Sequence, residues 1–155
     1  MKIHVLQREQ WIPRSVEELW PFFRDPSNLE AITPKFLKFR VVRSTTAEVE
    51  HGSEIDYRLK LHGIPISWRS RIVIWDPPRA FVDMQIRGPY RLWHHEHRFV
   101  PEGGGTRSYD IVQYAHWGGD WVHRKFVRPD LEQIFDYRRD RIAEIFPERV
   151  RAESA

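Results

Sequence analysis

"IDYRLKLHGIPISWRSRIVI", residues 55–74, decides the architecture. Ile55, Tyr57, Leu59 and Leu61 alternate with Asp56, Arg58 and Lys60; after Gly63-Ile64-Pro65, Ile66, Trp68, Ser70, Ile72 and Ile74 alternate with Ser67, Arg69 and Arg71. A period of two sends one row inward and leaves the other in water, as in antiparallel strands covered on one face. Downstream, "DPPR" (76–79) is a turn, "AFVDMQIR" (80–87) a strand and Gly88-Pro89 a break. "RLWHHEHRFV" (91–100) is the next strand, and "PEGGGT" (101–106) turns the chain into a last one ending near Ala115. Upstream, "KFLKFRVV" (35–42) and residues 2–12, which stop at Pro13, complete seven strands.

Helices lie at two places. Ser15 is positioned to cap a helix with Glu17 and Glu18 in its first turn and Leu19, Trp20, Phe22 and Phe23 on its apolar side. "PSNLEAITP" (26–34) has room for a small second one. Near the end the period changes: Leu131, Ile134, Phe135, Ile142, Ile145 and Phe146 form a helical stripe, with Pro129 in the first turn and Pro147 closing it. Roughly 17 residues give about 25 Å, enough to cross a sheet diagonally. One strand, two short helices, six strands and a long helix make an α+β order in which that helix covers the apolar face.

Four segments in this order, "NLEAITP" (28–34), "GIPISW" (63–68), "FVDMQIRGPYRLWHHEH" (81–97) and "IFDYRRD" (134–140), resemble the START-like or SRPBCC superfamily, in its bacterial polyketide cyclase/dehydrase-like branch. The resemblance spans residues 1 to about 146 and implies the helix-grip fold: a curved, seven-stranded antiparallel sheet wrapped around a long C-terminal helix, with a ligand cavity between them. It implies one domain over residues 1–146, followed by a short tail, 147–155. The superfamily includes lipid carriers, cyclases and quinone-binding proteins, so the fold does not choose among functions.

Composition narrows the classes. The chain of 155 residues is 41% hydrophobic and 14% aromatic, with seven Trp, enough to enclose an apolar interior. Its formal charge of +3 comes from Lys and Arg interspersed with Asp and Glu, a solvated surface and not a nucleic-acid footprint. The absence of Cys removes disulfides, thiolate zinc sites and cysteine nucleophiles. The start, "MKIHVLQREQW", lacks an apolar core and a cleavage site, and no stretch approaches the ~20 apolar residues that span a bilayer. A cytoplasmic location, no stable membrane insertion and no cofactor are therefore expected.

The histidines of residues 94–97 are split by the strand period. Trp93, His95, His97 and Phe99 share one face, taken as the inner one; Leu92, His94, Glu96 and Arg98 share the other. His95 and His97 lie about 7 Å apart along the strand and fall short of a full ligand set, so no metal is expected there. Pairing Phe99 with Thr106 across the turn places Ser108, Asp110, Val112 and Tyr114 on the inner face, with Asp110 beside the two histidines; a slip of one residue would turn Tyr109 and Ile111 inward instead. On residues 80–87 apolarity alone would bury Val82, Met84 and Ile86, whereas the family-like F-x-D-x-Q pattern implies that Phe81, Asp83 and Gln85 face the cavity. Arg138 interrupts the helical stripe: it either snorkels to water or, if buried, needs a partner, Asp83 or Asp110 within the protein or a carboxylate, carbonyl or phosphate on a ligand.

Three function classes follow. In a binding module, Tyr57, Leu59, Trp68, Ile72, Trp93 and Phe135 enclose a hydrophobic or amphipathic small molecule (a lipid, quinone or polyketide-like compound), while His95, His97, Asp110 and Arg138 fix its polar end. In a cyclase, dehydratase or hydrolase, His95 or His97 paired with Asp110 moves protons while Arg138 polarises a carbonyl. In an interaction module, a partner protein docks on a surface the residues do not identify; Trp117 and Trp121 either form an exposed patch or, as expected here, cover the cavity mouth or the start of the long helix. The aromatic content favours the first.

Overall fold

A computed structural model describes residues 1–149; the expected tail from residue 147 lies outside the described residues beyond Arg149. The strands are β1 (His4–Ile12), β2 (Arg40–Ser44), β3 (Glu54–Leu61), β4 (Ile64–Asp76), β5 (Ala80–Arg87), β6 (Leu92–Glu102) and β7 (Gly105–Ala115). They form one antiparallel sheet in the order β1-β7-β6-β5-β4-β3-β2. Consecutive hairpins build β2 to β7, and β1 closes onto the last of them. The antiparallel sheet is the one the alternation predicts, and the helix-grip architecture is the one the family resemblance implies.

Helix α1 (Val16–Phe23) begins where the sequence places it: the Ser15 hydroxyl accepts from the Glu18 backbone N–H, meeting one donor that the first turn leaves open. The expected second short helix, Pro26–Ile32, is 3₁₀, and the Asp25 carboxylate caps it through the Ser27 N–H. The strand expected from residue 35 starts five residues later. Lys35–Leu37 forms a 3₁₀ turn and Lys38 sits at φ 47°, in the left-handed region, so the chain turns once more before extending.

The register corrects two further expectations. Phe99 pairs with Ser108 and not with Thr106, because Gly103 and Gly104, at φ 57° and 78°, make a tight two-residue turn in which Glu102 already faces Gly105. The error is an even number of residues, so the faces stay as expected and Asp110 remains on the inner side. In β4, Ile72 pairs with Asp83 and Ile74 with Val82, leaving Val73 as an extra residue. That bulge reverses the parity: Ile74, expected inside, is 51% exposed, and Trp75 turns in to pack on Trp20 and Phe81.

The long helix starts earlier than its apolar stripe. Short α2 (Gly119–Val122) runs through a π-helical turn, His123–Val127, into α3 (Arg128–Ile145). Pro129 therefore lies inside a continuous helix, and the widened turn, with Arg128 N–H bonded to the His123 carbonyl five residues back, accommodates the missing proline N–H. Trp117 and Trp121 do not roof the cavity. They are 68% and 59% exposed, the first beneath the Arg91 guanidinium and the second beneath the Lys125 ammonium. No helix of the described residues is long and apolar enough to cross a membrane.

Arg138 divides the helical stripe into two separately packed halves. Leu131 and Phe135 bury against Leu6, Trp93, Val112 and Tyr114, while Ile142 buries against Ile12, Leu19 and Ile32. A third apolar cluster, around Trp20, Tyr57, Ile72 and Phe81, fills the far side of the sheet's concave face. The arginine meets the sheet between them.

Candidate functional site

Opposite Arg138 the three neighbouring strands β5, β6 and β7 contribute Asp83, His95, His97 and Asp110. Asp83 stands across from His95 in the β5–β6 ladder, and His97 across from Asp110 in the β6–β7 ladder. The hydrogen bonds run diagonally instead. His95 Nε2 lies 2.7 Å from Asp110 Oδ1, and His97 Nε2 lies 2.6 Å from Asp83 Oδ2. The two imidazoles stack with centroids 3.7 Å apart, and Phe81 stacks on the outer face of His97 at 4.0 Å. Arg138 closes the group, with Nη2 3.5 Å from both Asp110 Oδ1 and His97 Nδ1. His95, His97 and Arg138 are only 6%, 4% and 9% exposed.

The electrostatics follow from this packing. Burial pushes the Asp110 carboxyl up, but Arg138 and the His95 hydrogen bond outweigh it and hold the group far below the usual carboxylate range. Burial likewise opposes ionisation of Asp83, and the His97 hydrogen bond with the adjoining charges brings it below its ordinary value. His97 is driven down to about 4 by burial and then by neighbouring His95, against the pull of Asp83. At neutral pH both acids are therefore acceptors, so a neutral His97 donates through Nε2 to Asp83, and its Nδ1 is left to accept from Arg138. The same logic puts a proton on His95 Nε2, facing Asp110. Among the described residues Nδ1 of His95 makes no hydrogen bond, and Arg138 Nε is buried without a partner.

This group forms one end of a hollow of about 170 Å³ between sheet and helix. Of the residues expected to line a ligand cavity, the structure brings together Tyr57, Leu59, Trp68, Asp83, Trp93, His95, His97, Phe135 and Arg138. Four others stand elsewhere. Ile72 and Phe81 border a separate void of about 30 Å³ near Phe23, on the other side of Asp83 and His97. Asp110 lies behind His95 and borders a crevice of about 70 Å³ between β1 and α3, beside Arg8 and Asp136. Gln85 spends its amide on the β5–β6 connection, donating to the Tyr90 carbonyl and accepting from the Tyr90 N–H. The family-like pattern thus marks two pocket neighbours and one turn clamp.

Sequence reasoning missed a whole wall. Leu29, Ile32, Leu37 and Phe39 close one side from the irregular segment between α1 and β2, and Tyr90 closes another. Irregular backbone leaves no periodic signal, so only the density of apolar residues in 29–39 marks this wall. At the far end, His62 Nε2 lies 2.8 Å from Asp130 Oδ2, tying the β3–β4 turn to the start of α3.

Comparison with solved structures supports the fold independently of these details. The aromatase/cyclase Zhui from Streptomyces sp. R1128 superposes with a TM-score of 0.73 at 14% identity, covering 99% of each chain. The major latex-like protein 151 of Panax ginseng gives 0.69 at 12% identity, over 94% of this chain and 98% of that one. A nucleoside-diphosphate sugar epimerase from Corynebacterium glutamicum gives 0.66 at 20% identity over 90% of this chain, using 28% of its own length. At these identities the likeness is one of fold. Curated protein sequences show no significant match. The family model described as polyketide cyclase/dehydrase and lipid transport matches residues 12–143, nearly the whole sheet and helix, and the chain belongs to that family.

Proposed function

We propose that the chain binds a small, largely hydrophobic molecule between sheet and helix, with a neutral hydroxyl or carbonyl group directed at the buried histidine–aspartate cluster. One observation carries this reading: a charged, hydrogen-bonded group stands at the end of a hollow otherwise lined by aromatic and aliphatic side chains. Its charge selects the ligand. Two carboxylates, Asp83 and Asp110, stand against a single guanidinium, which pairs with Asp110, while Asp83 has the neutral His97 as its partner. A carboxylate or phosphate brought there is repelled, whereas a hydroxyl donates to the open Nδ1 of His95. The volume matches the ~150 Å³ that holds one benzene, so a larger ligand extends through the mouth. Membership in a family of cyclases and lipid carriers supports the same ligand class.

A matched pair of probes tests this. In calorimetry and thermal unfolding, 2-naphthol is expected to bind and stabilise, and 2-naphthoate to bind at least about tenfold more weakly; His95→Leu weakens the naphthol. Equal or tighter binding of the carboxylate overturns the charge argument, and no response to either probe or to lipids overturns the binding reading.

The His95–Asp110 pair supports a second reading. An ionised carboxylate 2.7 Å from Nε2 fixes the tautomer and leaves Nδ1 as the proton acceptor, which is the arrangement of a general base. With a poly-β-carbonyl substrate, His95→Gln then abolishes turnover while substrate still binds. Binding without turnover in the unmodified protein returns the chain to the carrier class.

A further inference from the structure

Three histidines outside the cavity converge at the end of the sheet where β1 begins and β7 ends. His4 opens β1, His116 follows β7, and His123 opens the π-helical turn. One ring nitrogen from each lies within 4.8 Å of the others. Adjacent positive charges are already met: Lys2 pairs with Asp120 at 2.9 Å and Arg128 with Glu132 at 2.8 Å.

From these placements we infer that His4, His116 and His123 form a binding site for a divalent transition-metal ion of the zinc and copper class. Three neutral imidazoles without thiolate suit such ions, and three protein ligands leave a fourth position open to water or another donor.

His116 supplies the independent observation. Its Nδ1 lies 2.8 Å from the Trp117 carbonyl, an acceptor, so Nδ1 carries the proton and Nε2 the lone pair. That Nε2 is buried and has no hydrogen-bond partner. An outer hydrogen bond to a carbonyl that leaves the opposite nitrogen free is how metal-bound histidines are commonly oriented. On His123 the Tyr114 hydroxyl, 2.8 Å from Nε2, holds one side of the ring, so Nδ1 is the ligand when Nε2 carries a proton. The π turn contributes as well. His123 is its first residue, and its ring meets Tyr114 of β7 there. The rings now lie nearly parallel, His4 on His123 at 3.7 Å, and binding turns them out of that stack so that nitrogens already within 4.8 Å of one another close on one ion.

Asp83, His95 and His97 also bring three ligand atoms within 4.8 Å of one another, so the test must tell the two groups apart. Co²⁺ is titrated into the full chain and followed by its visible absorption and by calorimetry, and Zn²⁺ is then added in competition. The expected result is one equivalent bound through nitrogen, retained in His97→Asn and weakened at least about tenfold in His4→Asn and in His116→Asn. His4 and His116 stand at the strand termini, and unchanged circular dichroism in either variant separates loss of the site from loss of the fold. An equivalent lost in His97→Asn but kept in His4→Asn places the ion in the cavity and overturns the proposal. So does a protein that takes up no ion, or one whose uptake is indifferent to all three substitutions.

Discussion

His97 is a buried base kept neutral, and this has a measurable consequence. Its folded pKa of about 4 lies below the ordinary 6.5, so between those values the unfolded chain binds a proton that the folded one refuses. Stability therefore rises with pH across that window, and acidification from 7 to 4 costs on the order of a few kcal/mol through this group. Asp83 and Asp110, both depressed, act with the same sign at lower pH, where protonation removes their contribution. Urea midpoints at pH 7, 5.5 and 4 should fall steadily in the unmodified protein, and His97→Gln should flatten the upper part of that fall. Asp110→Asn strips Arg138 and His95 of their shared anion in a buried setting, and a loss of about 3 kcal/mol is expected from denaturant unfolding at pH 7. The partner choice was legible in part: Arg138 stood out because it broke an apolar stripe. The diagonal bonds were not, since a strand pattern gives the face of a side chain but not which neighbour it leans toward.

At the scale of elements, the β6–β7 hairpin holds the site together, because it sets His97 beside Asp110. Its turn needs positive φ at both Gly103 and Gly104. Gly104→Val, with a branched side chain forced to φ 78°, should cost about 1–2 kcal/mol in thermal or chemical unfolding. Ligand affinity should fall with it if the strand ends shift. Alternation in β3 and in the first part of β4 could be read directly, as could the Ser15 cap, because period and cap chemistry are local. The bulge at Val73 could not: an extra residue changes no composition, and its only trace is the reversal that exposes Ile74 and buries Trp75's side of the strand. The register error across residues 101–106 left the site reading intact for the opposite reason, since shifting by two keeps each residue on its face.

For the molecule as a whole, the helix and the sheet are held apart at the hollow by residues that do not fill it. Ile134, on α3, lines that space. Ile134→Trp should occupy it, abolishing 2-naphthol binding while leaving the unfolding temperature unchanged or higher, as read by differential scanning calorimetry. The global layout also orders events in time. β1 has β7 as its ladder partner, with His4 facing Tyr114 and Ile12 facing Thr106. The earliest strand to leave a ribosome thus waits for the latest, and bringing those distant segments together carries the loop-closure cost that slows assembly. Until then its backbone amides and carbonyls are an open template, and the six-strand meander from β2 to β7 is the piece able to form without it. The first and last strands of this sheet are neighbours, and its completion is the act that joins them.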